Sequence, residues 1–284
     1  MLVLHDGNPL VRIRRAWVNQ GLIALMVIAF IAQEVGLFNW QVYAFFPTQT
    51  FSLSDTPGPG RGLLGLITHI FLHGSWLHLI GNIVALWVFG DNIEDALGHV
   101  RYVIFVVLTA AAAALTQGWF AYPYAMIGAS GMVSAVMGAY LLLHPRARIL
   151  ILAFNVVPVL APASLVVGLD LVLNAAMAWD AAFVGGPERA GIAWFAHLGG
   201  FASGMLLVLI LRQSDVRLFQ PAPAIASRSM RWLARLIPTL VWPGDRPVVD
   251  DAATATTVRR EGWTVVGKAL IYVILIFLLM RYFG

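Results

Sequence analysis

A chain of 284 residues that is 60% hydrophobic and only 11% charged, with a mean hydropathy of +0.81, is too apolar for a soluble domain, in which roughly 25% of residues are charged. It reads as a polytopic membrane protein. The absence of cysteine excludes disulfides and Cys-ligated metal clusters. The small basic excess, 18 Lys and Arg against 14 Asp and Glu, is too dispersed to suggest nucleic acid and instead reports orientation in a bilayer.

Seven apolar spans are expected. Arg12, Arg14 and Arg15 precede the first, Trp17–Phe38, and no A-x-A-like site follows it, so the start is not read as a cleavable signal peptide. Ser52–Gly62 (SLSDTPGPGRG) is a loop by its Gly and Pro content. Leu63–His78, mixed apolar and His-bearing, lies partly in the interface ahead of the second span, Trp76–Asp91. The charged stretch Asp91–Arg101 is expected as a turn, and the third span is Tyr102–Phe120, whose Ala110–Ala114 run permits close packing.

The fourth apolar helix is unusual. From Gly128 to Leu143 it holds 16 residues, whereas crossing a bilayer takes about 20 at ~1.5 Å each. Pro123 and the glycines oppose extending it backwards. The chain is therefore expected to enter the membrane as a loop and begin its helix below the surface, either buried in protein or lining a watery cavity. Ile149–Leu160, interrupted by Asn155 and Pro158, is expected to be interfacial. The fifth span is Ala161–Trp179 and the sixth Gly191–Leu211. A polar linker includes an amphipathic, Arg-bearing helix at Ser227–Leu240, suited either to a membrane surface or to docking on the bundle. The seventh span is Trp263–Phe283. With the N-terminus cytoplasmic, all basic residues but Arg61, Arg189 and Arg281 fall on the cytoplasmic side. This puts the opening of the short helix on the outer side.

Polar groups inside spans are expensive and mark candidate sites. Ser130, in Gly128-Ala129-Ser130-Gly131, opens the short helix. A serine among small residues can simply be a packing residue, but a helix N-terminus presents unpaired N–H groups that would stabilise an oxyanion beside it. His197 lies in the sixth span, with Gly200 and Gly204 on its face at GxxxG spacing. Ser130, Ser134 and Gly138 form a matching small-residue face on the fourth helix. Docking these faces would bring Ser130 to His197, a base able to take its proton. His197 could equally be structural. His78 and Asn82, i and i+4 on the second span, suit either an oxyanion hole or interhelical hydrogen bonds. Asp170 has no assigned role beyond a pairing with Asn174 on the same face, or the lining of a polar gap.

Three spaced motifs together resemble the rhomboid intramembrane serine proteases: His73-Gly74-Ser75-Trp76-Leu77-His78-Leu79-Ile80-Gly81-Asn82, Gly128-Ala129-Ser130-Gly131, and Ala196-His197-Leu198-Gly199-Gly200 with Gly204. Glu94-Asp95-Ala96-Leu97-Gly98 is similar to the stretch that follows the second span in that family. The likeness runs over Leu63–Leu211. It implies an all-α, six-helix membrane bundle with an added C-terminal helix. It also implies a Ser130–His197 dyad without an acid, and an oxyanion hole from His78, Asn82 and the Ser130 backbone. Gly128, Gly131, Gly200 and Gly204 would pack around the site. Two features depart from the family: a Trp-Arg pair of the first outer loop is missing, and Ser134 stands where many members stack an aromatic on the histidine.

The expected activity is therefore serine endopeptidase cleavage of single-span membrane proteins near the outer surface, with no cofactor and no metal. The alternative is a non-catalytic relative that binds membrane clients. A proton-coupled transporter finds no inverted repeat, and a metalloprotease finds no His-Glu-x-x-His. The organisation expected is an N-terminal segment (1–16), a six-span core (17–212), a cytoplasmic linker (213–262) and a seventh helix (263–284). The membrane expected is the bacterial inner membrane, with the C-terminus outside.

Overall fold

The computed structural model describes residues 2–6, 8–51, 62–121, 124–153, 157–185 and 192–221. The linker helix and seventh span expected from sequence lie outside the described residues, as do Pro123 and most of the Ser52–Gly62 loop.

The chain divides into two compact units. One contains a three-stranded antiparallel sheet of order β1 (Leu2–Asp6), β2 (Arg148–Ala153) and β3 (Val157–Pro162). Its β2–β3 hairpin occupies the stretch expected to be interfacial, a strand pairing not foreseen from sequence. Arg148 pairs with Pro162 and Ala153 with Val157, so β2 lies between two strands and its backbone groups are shared between β1 and β3. The register of β1 on β2 shifts between Val3 and His5.

The other unit is helical. Its long helices are α1 (Trp17–Glu34), α2 (Trp76–Leu97), α3 (His99–Phe120), α5 (Ala163–Phe183, which begins at the end of β3) and α6 (Trp194–Leu211). Among the described residues these five are long and apolar enough to cross a membrane. α4 (Ser130–Leu143) has 14 residues, so it rises only ~21 Å against a hydrocarbon core of about 30 Å. It is two residues shorter than its sequence suggests, and it is buried along nearly its whole length.

The charged stretch Asp91–Arg101 is not the turn expected from its composition. The second span continues through it to Leu97, and only Gly98, at φ 79°, separates α2 from α3. The carboxylates there turn inward, where backbone donors meet them. Asp95 accepts from the N–H groups of Val11, Arg12 and Ile13 at 3.2, 2.6 and 2.8 Å. Glu94 accepts from Val18 and Asn19 at 3.0 and 2.7 Å, and also pairs with His99. Val18 and Asn19 begin α1, whose first turn has no side-chain cap of its own. Glu94 thus supplies both the missing acceptors and a negative charge at a helix N-terminus.

Asn19 extends this junction. Its Nδ2 donates to the Leu86 carbonyl (2.9 Å), and its Oδ1 accepts from the Tyr102 hydroxyl (2.9 Å). Leu86 opens a π-turn, Leu86–Gly90, within α2, and Gly90 lies so close to the Asn19 amide that a Cβ there would overlap it. One asparagine therefore fastens α1 to both α2 and α3.

We expect Glu94→Ala to destabilise the protein by about 2–4 kcal/mol, because it strands two N–H groups of α1 that a charged acceptor now satisfies. Thermal unfolding in micelles would measure this; an unchanged melting temperature would contradict it.

Candidate active site

The approach to α4 is held from two sides. Phe45 and Met126 exchange both backbone hydrogen bonds, at 3.0 and 2.9 Å, and the Gly128 N–H donates to the His69 carbonyl at 2.9 Å. Gly128 has φ 110° and faces the imidazole of His78 at a distance that leaves no room for a Cβ. Only glycine meets both demands. α4 then starts at Ser130, and the N–H of Val133 is the first to find a carbonyl within the helix, that of Ala129. The N–H groups ahead of it have no partner within the helix.

α4 and α6 meet backbone to backbone at their glycines. A Cβ on Gly200 would fall on the carbonyl of Gly131, one on Gly204 on the carbonyl of Ala135, and one on Gly138 on that of Phe201. α3 closes the third side: Ala113 crowds Gly131, and Thr116 crowds Gly199. From α3, the Gln117 Oε1 also accepts the N–H of Ala196 at 3.0 Å. α6 has no side-chain cap of its own, so this bond secures the turn that carries His197. Gly200 and Gly204 do meet α4 closely, but against Gly131 and Ala135, one position on from the Ser130 and Ser134 of the expected face, while Gly138 of that face packs on Phe201.

In this seam His197 Nε2 lies 2.7 Å from Ser130 Oγ. His197 Nδ1 lies 2.6 Å from Asn174 Oδ1 on α5. The Asn174 amide nitrogen in turn donates to the Asp170 carbonyl (2.8 Å) and to Asp170 Oδ2 (2.9 Å). Trp194 meets the His197 ring edge-on, with centroids 5.6 Å apart. Asn174 and Trp194 therefore hold the imidazole where an aromatic at Ser134 is missing. Asp170 and Asn174 do pair on one helix face, but the third partner of that pair, His197, was not foreseen. The i, i+4 spacing of Asp170 and Asn174 was the available signal.

α2 lines the other side. Ser75 caps it, its Oγ accepting the His78 N–H at 3.2 Å, which sets His78 in the first turn. Asn82 is buried, and its Nδ2 has no hydrogen-bond partner. A buried, unpaired donor is costly unless something else completes it.

Two further histidines, not singled out for the site, support it from behind. His69 Nδ1 donates to the Gly65 carbonyl at 2.9 Å while its own carbonyl anchors Gly128. His73 is gripped at its backbone by Gln33 of α1, which accepts its N–H at 3.3 Å and donates to its carbonyl at 2.7 Å. The His73 ring stands edge-on to Phe30 and His78. Among the described residues no group of three or more His, Asp or Glu could hold a metal.

The Rhomboid domain model matches residues 60–214, more than half of the chain. The chain belongs to the rhomboid family. This rhomboid is 32% identical over 150 residues to "Rhomboid protein 1, mitochondrial" of Saccharomyces cerevisiae, covering 50% of the chain and 40% of the relative. It is 31% identical over 209 residues to "RHOMBOID-like protein 12, mitochondrial" of Arabidopsis thaliana, covering 64% and 62%. To "Rhomboid protease GlpG" of Salmonella newport it is 35% identical over 71 residues, 25% of each chain. The chain thus spans less than two thirds of the length of each. The family is one of intramembrane proteases, and this member is a multi-pass, mainly helical membrane protein. The match contains α2 to α6 and the residues around Ser130; the seventh span expected from sequence lies beyond it.

Burial holds the pKa of both His69 and His73 down at about 4. An unfolded chain takes up these protons near pH 6.5, so between about pH 6.5 and 4 it binds more protons than the folded one. Stability from these rings is complete above pH 6.5 and drains as pH falls towards 4. We expect the melting temperature in micelles to fall over this window, and to fall less in His73→Phe; identical pH slopes for the two proteins would refute the assignment.

Proposed function

We propose that this rhomboid is an active serine endopeptidase that cleaves single-span membrane proteins, with Ser130 as nucleophile and His197 as base and then acid. The observation that carries this reading is the 2.7 Å contact between Ser130 Oγ and His197 Nε2 across the glycine seam. Serine attacks only when its proton is taken as the bond forms. His197 Nε2 accepts that proton while Ser130 Oγ adds to the scissile carbonyl. The resulting oxyanion sits at the N-terminus of α4, where the Ser130 N–H, His78 and the unpaired Asn82 Nδ2 are its donors. His197 then protonates the departing amine, leaving an acyl-enzyme. Water, deprotonated by the same imidazole, releases the acid and restores Ser130. The sequence of steps uses neither metal nor cofactor.

The substrate class follows from the membrane setting. Carbonyls within a helix are already hydrogen-bonded to N–H groups and enclosed by side chains. A peptide must be locally extended to reach Ser130, which favours sites where small or helix-weakening residues lower the cost of unwinding. The membrane on this reading is a bacterial plasma membrane, and the distribution of arginines supports an orientation with the N-terminus cytoplasmic, the C-terminus outside and the site opening to the outer face. On this reading residues 17–212 are the catalytic core.

The test compares purified variants in liposomes against a labelled single-span substrate. Ser130→Ala and His197→Ala should abolish cleavage, and a fluorophosphonate should label Ser130 of the wild type. Asn82→Ala should lower kcat about 100-fold. Gly200→Leu should be inactive, since its side chain would drive α6 off α4. Cleavage surviving in Ser130→Ala would overturn the dyad. A wild type that binds clients but neither cleaves nor labels would instead favour the non-catalytic alternative.

A further inference from the structure

We infer that Asp170 and Asn174 act as a pair that holds His197 in the tautomer protonated on Nδ1, leaving Nε2 bare towards Ser130; its value for catalysis rests on the protease reading, its geometry does not. Asn174 is a positioning residue in this arrangement, and Asp170 positions Asn174.

The directions of the hydrogen bonds decide the tautomer. An asparagine amide has a donating end and an accepting end, and its two orientations differ only in which faces which neighbour. Here one end faces two oxygens of Asp170, a carbonyl at 2.8 Å and a carboxylate oxygen at 2.9 Å. A carbonyl only accepts, and so does an ionised carboxylate. Were the amide reversed, its oxygen would confront both. The nitrogen must therefore point at Asp170, and its two hydrogens are both used there.

The other end, Oδ1, is then left 2.6 Å from His197 Nδ1. Oδ1 has no hydrogen to give, so Nδ1 must supply one. A neutral imidazole carries a single proton, and with Nδ1 protonated Nε2 presents a lone pair. Ser130 Oγ, 2.7 Å from Nε2, donates to it. The chain runs in one sense throughout: Ser130 O–H to His197, His197 N–H to Asn174, Asn174 N–H to Asp170. The opposite tautomer would set a lone pair of Nδ1 against Oδ1 and leave Nε2 unable to take a proton.

The local structure makes this placement economical. Asp170 and Asn174 are one turn apart on α5, so the carboxylate reaches the amide without help from another helix. Asn174 is buried and shares its helix face with the small buried residues Ala178 and Ala181. The carboxylate acts at one remove: the amide passes on its direction while keeping it out of contact with the imidazole. When His197 takes the serine proton, the imidazolium finds the negative end of the amide dipole already aimed at Nδ1.

A purely structural Asn174 would also be buried and hydrogen-bonded, so the test reads the proton directly. The full-length protein with 15N-labelled histidine is studied in micelles near pH 8, and the His197 signals are assigned by their loss in His197→Gln. Wild type should show Nδ1 protonated and Nε2 bare. Asn174→Leu should lose this preference and lower kcat about 100-fold with little change in KM. Asn174→Asp, which retains an acceptor, should restore both the tautomer and most of the activity. Asp170→Asn, which frees the amide to reverse, should weaken the preference. An Nε2-protonated ring in the wild type overturns the inference, as does an Asn174→Leu protein with tautomer and kcat unchanged. A wild type that shows the Nδ1-protonated ring, yet neither cleaves nor labels, supports this inference while overturning the protease reading.

Discussion

Everything in the helical unit depends on how closely α4 and α6 approach. In lipid there is no hydrophobic force to press helices together, and association relies on van der Waals fit and interhelical hydrogen bonds. Here much of the fit is backbone against backbone, because Gly131, Gly138, Gly200 and Gly204 carry no side chain where the other helix's carbonyls approach. That approach makes a hydrogen bond between Ser130 and His197 geometrically possible, since neither side chain is long. α3 wedges the pair with Ala113 and Thr116 and, through Gln117, secures the first turn of α6.

Two polar networks lie within this apolar frame, and they differ in kind. Around Glu94, Asp95 and Asn19 the carboxylates and the amide meet backbone donors, a carbonyl and the Tyr102 hydroxyl, and the result ties three helices together. Around Ser130 the network is directional and open. It begins at Asp170 and ends at a serine, and on α2 the buried Asn82 amide nitrogen is left unpaired. A closed network fixes a fold; a half-open one is costly to bury and is tolerated where a ligand completes it.

How much of this could be read from residues alone divides along physical lines. The long spans were legible because lipid imposes apolar composition over a fixed length, and the shortness of α4 followed from counting. Ser130 and His197 stood out as polar groups in apolar helices, and the facing glycines predicted the meeting that brings them to 2.7 Å. Asp91–Arg101 misled because the backbone N–H groups that Glu94 and Asp95 accept from lie more than 70 residues away and leave no trace in side-chain pattern. The β2–β3 hairpin was missed because a short apolar run does not distinguish strand from buried segment, and β1, which extends the sheet, comes from the start of the chain. Asp170 and Asn174 could be paired by spacing, yet their purpose needed a helix 23 residues further on.

The bare seam between α4 and α6 also has an entropic consequence. Ordering a long side chain on folding costs up to about 2 kcal/mol of rotamer freedom, whereas glycine has none to lose. A contact made of backbone therefore gives up no rotamer freedom and has no alternative rotamers into which it can relax. The two helices can part only by moving as whole rods, so the gap between serine and histidine is set by the distance between helix axes rather than by the fluctuations of any side chain in between.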